Sequence, residues 1–296
     1  MTDTNFTPYD SQEYMDLELW RNQAKEGELE TYPCIAAWSD ICGFGHALQQ
    51  AHWRLQKVKE SGLFWALSQA YSLLGCPFII GVPPMPTDRV LVINDGVART
   101  TDLSGAAHIQ HGQILFYVRD LLMHHFMLER QLVKHGLGLR TVLAGGERCQ
   151  YSPQKSTGQS VLYYTNEPSD FGKALLEQQF VYNPAEFQMN TAFALAYTLE
   201  SLGSAKGIVP NRVYIEESWL TRLNEVLPEP SEVNGQTIHF PWRGEPGISV
   251  SFDEQLEIEA KGISCNVFKV REFVVHERFE GERTEFPMSQ HDRQNG

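Results

Sequence analysis

The stretch "AAWSDICGFGHAL" (36–48) carries a small apolar run into a lone acid, Asp40, and then bends at once through Gly43-Phe44-Gly45. Residues 33–40 read as a buried strand, and 46–60 as a helix with Leu48, Ala51, Leu55 and Val58 at helical spacing. A strand ending on an acid, followed by a glycine bend and a helix start, gathers a carboxylate, a backbone carbonyl and unpaired helix N–H groups in one place. Carboxylate and carbonyl oxygens hold Mg²⁺ or Mn²⁺, while the N–H groups around Gly43 and Phe44 attract phosphate. An Asp ahead of a helix also serves simply as a cap, so the reading turns on a second carboxylate. Asp95 is the candidate. "RVLVINDGVARTT" (89–101) has the look of a hairpin, with Asp95-Gly96 suited to a tight two-residue turn that needs φ above zero.

Outward from there, a helix is expected over 62–74, ending at Gly75, and a loop over 81–88. A long amphipathic helix spans 108–135, with Ile114, Val118, Leu121, Leu128 and Leu132 on one side. Residues 137–151 are strand-like and broken by a glycine pair, and 152–185 mix a polar loop with a short helix. Asn190 opens a helix carrying Phe193, Ala196, Tyr197 and Leu199 until Gly203; short strands follow at 208–216 and through "GISVSF" and "NVFKVREFVV". Strands interleaved with helices, plus a hairpin and a strand-rich end, predict an α/β sandwich with a mixed sheet. The expected organisation is a polar extension over 1–30, one main domain over 31–275 and a charged, mobile tail over 276–296.

Composition narrows the function. The 296 residues are 42% hydrophobic, enough for a large core without disulfide or structural metal. A net charge of −13 excludes a general nucleic-acid binder, which needs a basic face for phosphates. Five cysteines without a C-x-x-C pair fit a reduced, cytoplasmic chain, and no apolar run is long enough to span a membrane. His124 and His125 are adjacent on a helix and point different ways, one expected at the core edge and the other in solvent. His108 and His111 lack a third ligand for zinc.

The strand acid with G-F-G, then the N-D-G hairpin, resembles the catalytic domain of class III nucleotidyl cyclases. "YNPAEFQMN" (182–190), "LESLG" (199–203), "LRTVLAGGER" (139–148) and "LEIEAKGISCNVFKV" (256–270) are similar to further motifs of that family, in the same order. The resemblance implies a ferredoxin-like mixed sheet with flanking helices. It implies that Asp40 and Asp95, with the Ile41 carbonyl, bind two Mg²⁺ or Mn²⁺ ions. It further implies that Lys261 contacts the triphosphate, that Asn190 serves catalysis, and that the active form is a homodimer with composite sites.

The base readers depart from the purine pattern. Four residues before Asp95 stands Leu91, and seven before Asn190 stands Asn183, where purine cyclases carry charged or thiol readers. An aliphatic chain cannot hydrogen-bond a base edge, whereas an amide both donates and accepts. This resembles the pyrimidine cyclases of bacterial Pycsar defence. They turn UTP or CTP into the 3′,5′-cyclic monophosphate, a second messenger for a separate effector protein in antiphage defence; UTP is favoured here. A purine cyclase and a catalytically silent nucleotide-binding module are the alternatives. The latter is raised by Ala194, or Thr198 in the other register, where the family has a transition-state arginine. Arg148 or Arg99 is the candidate substitute.

Overall fold

The computed structural model describes residues 21–75, 87–103, 111–149 and 184–288, with single residues at 19 and 170. The chain divides into two compact units, Met1–Tyr32 with Arg148–Asn190, and Pro33–Glu147 with Thr191–Gly296. Residues 148–190 thus group with the N-terminal residues. In the first unit, residues 21–26 are helical, the Arg148 guanidinium lies 5.0 Å over the Tyr32 ring, and Arg148 and Asn190 form a β-bridge.

The elements, in chain order, are β1 (Thr31–Cys42), α1 (Phe44–Gln50), α2 (Leu55–Glu60), α3 (Leu63–Leu73), β2 (Arg89–Ile93), β3 (Gly96–Asp102), α4 (His111–Leu132), β4 (Gly138–Cys149), α5 (Thr191–Glu200), β5 (Arg212–Glu216), α6 (Glu217–Asn224), β6 (Glu232–Asn234), β7 (Thr237–Trp242), β8 (Glu245–Ala260), β9 (Ile263–Val275), α7 (Glu277–Glu280) and β10 (Thr284–Pro287). The strands form one mixed sheet in the order β2-β3-β1-β4-β5-β9-β8-β7-β6, with β10 on β9. β4 and β5 run parallel, whereas the hairpins are antiparallel. Mixed α/β architecture is therefore as expected. No helix among the described residues is long and apolar enough to cross a membrane.

β1 is buried on both faces, and its alternate residues go opposite ways. Ile35 and Ala37 join the large core with Ile114, Val118 and Leu122 of α4 and Trp219 of α6. Cys34 and Ala36 pack instead on Ala192 and Phe193 of α5. Ile41 belongs to a second cluster under α1–α3, with Val97, Leu128 and Leu139.

Local expectations change in several places. The helix expected over 46–60 is two helices, because His52 and Trp53 take φ of 51° and 57° and turn the chain between them. β4 is unbroken by Gly145-Gly146; a Cβ there would lie 2.3 Å from the Ser218 carbonyl oxygen and 2.4 Å from Thr191 Oγ1, so the glycines permit close approach. The hairpin turn is Asn94-Asp95, one residue earlier than expected: Ile93 pairs with Gly96, and Asn94 takes φ of 51°. Both histidines of the adjacent pair are buried, because α4 lies beneath the sheet. His125 Nδ1 meets Thr141 Oγ1 at 2.8 Å, and that hydroxyl meets Ser39 Oγ at 2.8 Å. Burial lowers both imidazoles to about 3, so they stay neutral.

Much of the expected mobile tail is built into the fold. Phe286 of β10 stacks on Phe273 at 4.4 Å, Phe279 of α7 packs against Phe116 and Trp242, and Arg119 of α4 pairs with Glu280. Three apolar side chains among the charges, Phe279, Phe286 and Met288, join the large core, and β10 pairs with β9. The short helix expected within 152–185 and the residues beyond 288 lie outside the described residues.

Gly96 is glycine for a packing reason. A Cβ there would lie 2.2 Å from Cη2 of Trp38, whose ring covers the hairpin end. Overpacking of this kind costs about 1–3 kcal/mol. Gly96→Ala should lower stability by that amount in denaturant unfolding, and Trp38→Leu in the same chain should recover part of it. A neutral Gly96→Ala would contradict the contact.

Candidate active site

β1 and β3 pair antiparallel with Asp40 opposite Gly96, and the Ile41 amide donates to the Asp95 carbonyl at 3.1 Å. β1 runs two residues beyond the expected end at Asp40, to Cys42, and Asp40 and the turn acid Asp95, 55 positions apart in sequence, thus stand side by side. Tyr71 of α3 steadies the turn, its hydroxyl donating to the Asn94 carbonyl at 2.5 Å. Gly43, at φ of 92°, turns β1 into α1. α1 is only seven residues and has no side-chain cap, so a phosphate cradle at Gly43 and Phe44 gains no support from it.

A third carboxylate joins them. Glu200, the last residue of α5, is 7% exposed and pairs with Arg140 of β4. Arg140 also donates to the Ile208 carbonyl at 2.8 Å, which fixes the guanidinium. Burial raises the Asp40 carboxyl, and the charges of Glu200 and Asp95 raise it further against the opposing pull of Arg140, to about 7. Asp95 is raised as well, first by burial and then by Glu200, with its own backbone amide pulling the other way. Burial pushes the neighbouring Cys42 thiol up to about 12, and it stays protonated.

The remaining expected residues fall as follows. Leu91 is half-buried on β2, opposite Ala98. Lys261, in the β8–β9 turn, is exposed and donates to Ser201 Oγ at 2.8 Å, next in sequence to Glu200 of the same chain. Asn190 and Arg148 lie in the other unit, joined by their backbone bridge; the Asn190 amide donates to the Glu186 carbonyl at 2.9 Å. Asn183 lies outside the described residues, as does His108. Arg99 grips Asp88 through two nitrogens at 2.6–3.2 Å and lies 4.9 Å over the Tyr117 ring, so it is committed to the core. Thr198 Oγ1 donates to the Ala194 carbonyl, and neither position bears a cation.

Glu200 and Arg140 sit inside "LESLG" and "LRTVLAGGER", two of the stretches similar to family motifs, but neither residue has an expected role there. One signal was available: a glutamate at a helix C-terminus faces the negative end of the helix dipole and calls for a cation nearby.

Among the described residues, no three His, Cys, Asp or Glu side chains are placed to hold a metal unaided. The donors at Asp40 and Asp95 are nonetheless all oxygen; burial raises Asp40 most, and the repulsion from Glu200 and Asp95 that adds to it would be relieved by a divalent cation in place of the proton. This donor set fits Mg²⁺ or Mn²⁺ that takes its other ligands from phosphate and water.

The raised carboxyl has a stability consequence. Unfolded, Asp40 titrates near 3.8; folded, it keeps its proton to about 7. Raising pH across that window ionises the unfolded chain first and costs stability, and the cost is complete above pH 7. Without divalent cations, Asp40→Asn should therefore be more stable than the parent at about pH 8. Discounted for partial exposure and coupling, the gain is about 1–3 kcal/mol, vanishing below about pH 4. Denaturant unfolding across pH measures it; a gain independent of pH would contradict the assignment.

No family model matches this chain, and no curated protein matches it.

Proposed function

We propose that the chain is a class III nucleotidyl cyclase that converts a pyrimidine nucleoside triphosphate, UTP before CTP, into its 3′,5′-cyclic monophosphate and pyrophosphate. The observation that carries this reading is the β1–β3 register that sets Asp40 beside Asp95. The order of strand, helices, hairpin, helix and strand from β1 to β4 supports the ferredoxin-like form of that fold.

In this reaction the ribose 3′-hydroxyl attacks the α-phosphorus, the bond from that phosphorus to the β-phosphate bridging oxygen breaks, and the hydroxyl proton passes to solvent. Two Mg²⁺ or Mn²⁺ ions, when bound, supply acidification of the hydroxyl and neutralisation of the leaving oxygens. Asp40 and Asp95 would hold them, with the Ile41 carbonyl. Arg140 keeps Glu200 paired, which limits the negative charge that the triphosphate meets. Lys261 is the cation of this chain suited to the triphosphate, and Asn183 is the base reader. The active form is a homodimer with composite sites, and a separate effector reads the product in the cytoplasm.

A specific observation favours a second reading, a nucleotide-binding module without turnover: positions 194 and 198 offer no arginine for the transition state. Chromatography of products from ATP, GTP, UTP and CTP with Mn²⁺ separates the two. Cyclic UMP or cyclic CMP with release of pyrophosphate is expected, and Asp40→Ala and Asp95→Ala should each reduce it below detection while remaining folded by circular dichroism. Cyclic AMP or cyclic GMP would move the chain to the purine enzymes. Full activity in either variant would remove the carboxylates from the mechanism.

A further inference from the structure

We infer that Tyr197, backed by Trp38, is the stacking platform for the nucleotide base. The inference rests on the nucleotide reading above and deepens it. Trp38 and Asp40 are two apart on β1 and so share one face of the sheet. Phe193, Tyr197 and Glu200 are four and then three apart on α5 and share one face of the helix. These two faces meet. Phe193 and Tyr197 contact the Trp38 ring edge-on, at 5.9 and 5.4 Å, and Glu200 pairs with Arg140 of the neighbouring strand β4. The aromatic rings and the carboxylates therefore follow one another along a single seam. The Trp38 ring also covers Gly96, the residue next to Asp95.

Within this seam the burial is uneven. Trp38 is 6% exposed, while Tyr197 is 51% exposed although it is held by two aromatic neighbours. A rigid, solvent-facing ring beside an anion- and cation-binding centre suits a planar group attached to a phosphate chain. Stacking on such a ring accepts any base, because every base has a π-face, and one contact is worth about a tenfold change in binding. Selection of the base edge then falls to other residues, and UTP and CTP should gain equally from Tyr197.

The test is calorimetric titration of the full chain in Mn²⁺ with two probes: α,β-methylene UTP, which cannot be cyclised, and inorganic tripolyphosphate, which has no base. Tyr197→Leu should weaken the nucleotide about tenfold and leave tripolyphosphate unchanged, and Tyr197→Phe should bind both as the parent does. The cytidine analogue should lose the same factor. Unchanged nucleotide binding in Tyr197→Leu, or an equal loss for both probes, would overturn the platform while leaving the nucleotide reading in place. Failure of the parent chain to bind either probe would instead overturn the nucleotide reading.

Discussion

The antiparallel pairing of β1 with β3 is the constraint on which the site depends. It brings an acid at a strand end against an acid in a hairpin turn, and it does so through backbone hydrogen bonds rather than through the side chains themselves. A slip of one residue would send Asp40 to the opposite face of the sheet. Trp38 resists that slip: its ring needs a residue without a side chain beneath it, and Gly96 meets that requirement. The apolar packing of one residue thus fixes the relative position of two charges.

The electrostatics work against folding and for binding. Three carboxylates gather where burial already disfavours charge, and one guanidinium partly compensates. A fold selected for stability alone has little reason to keep Asp40 half-protonated near neutral pH. Perturbed groups of this kind concentrate at functional sites, where a ligand completes the charge balance. Here the completing ligand would be a cation with its polyphosphate, which turns a repulsive cluster into a coordinated one.

The parts of the fold legible in the sequence are those with local causes. Asp40 is visible because an apolar run stops on it before a glycine bend, and Asp95 because an Asn-Asp-Gly triplet interrupts two β-rich segments. Their adjacency follows once the hairpin is placed beside β1. The exact turn residues are less legible, since Asn and Gly both take positive φ and only Trp38 decides which role Gly96 has. Arg140 and Glu200 are illegible as a pair, because they meet through the packing of α5 on the sheet across 60 positions of chain. The seated C-terminal segment is hidden for a similar reason: its few aromatics are sparse among charges and gain meaning only against Phe116, Trp242 and Phe273.

The central claim is that Asp40 and Asp95 act as one cation site. A double-mutant cycle on Mn²⁺ binding in the presence of tripolyphosphate, read by electron paramagnetic resonance of the free ion, tests it most directly. If the two share the cation, Asp40→Asn and Asp95→Asn should each weaken binding strongly, and the double variant should be little worse than either single one. Losses that simply add, or a single variant that binds Mn²⁺ as the parent does, would show that the two carboxylates work apart and would contradict the account.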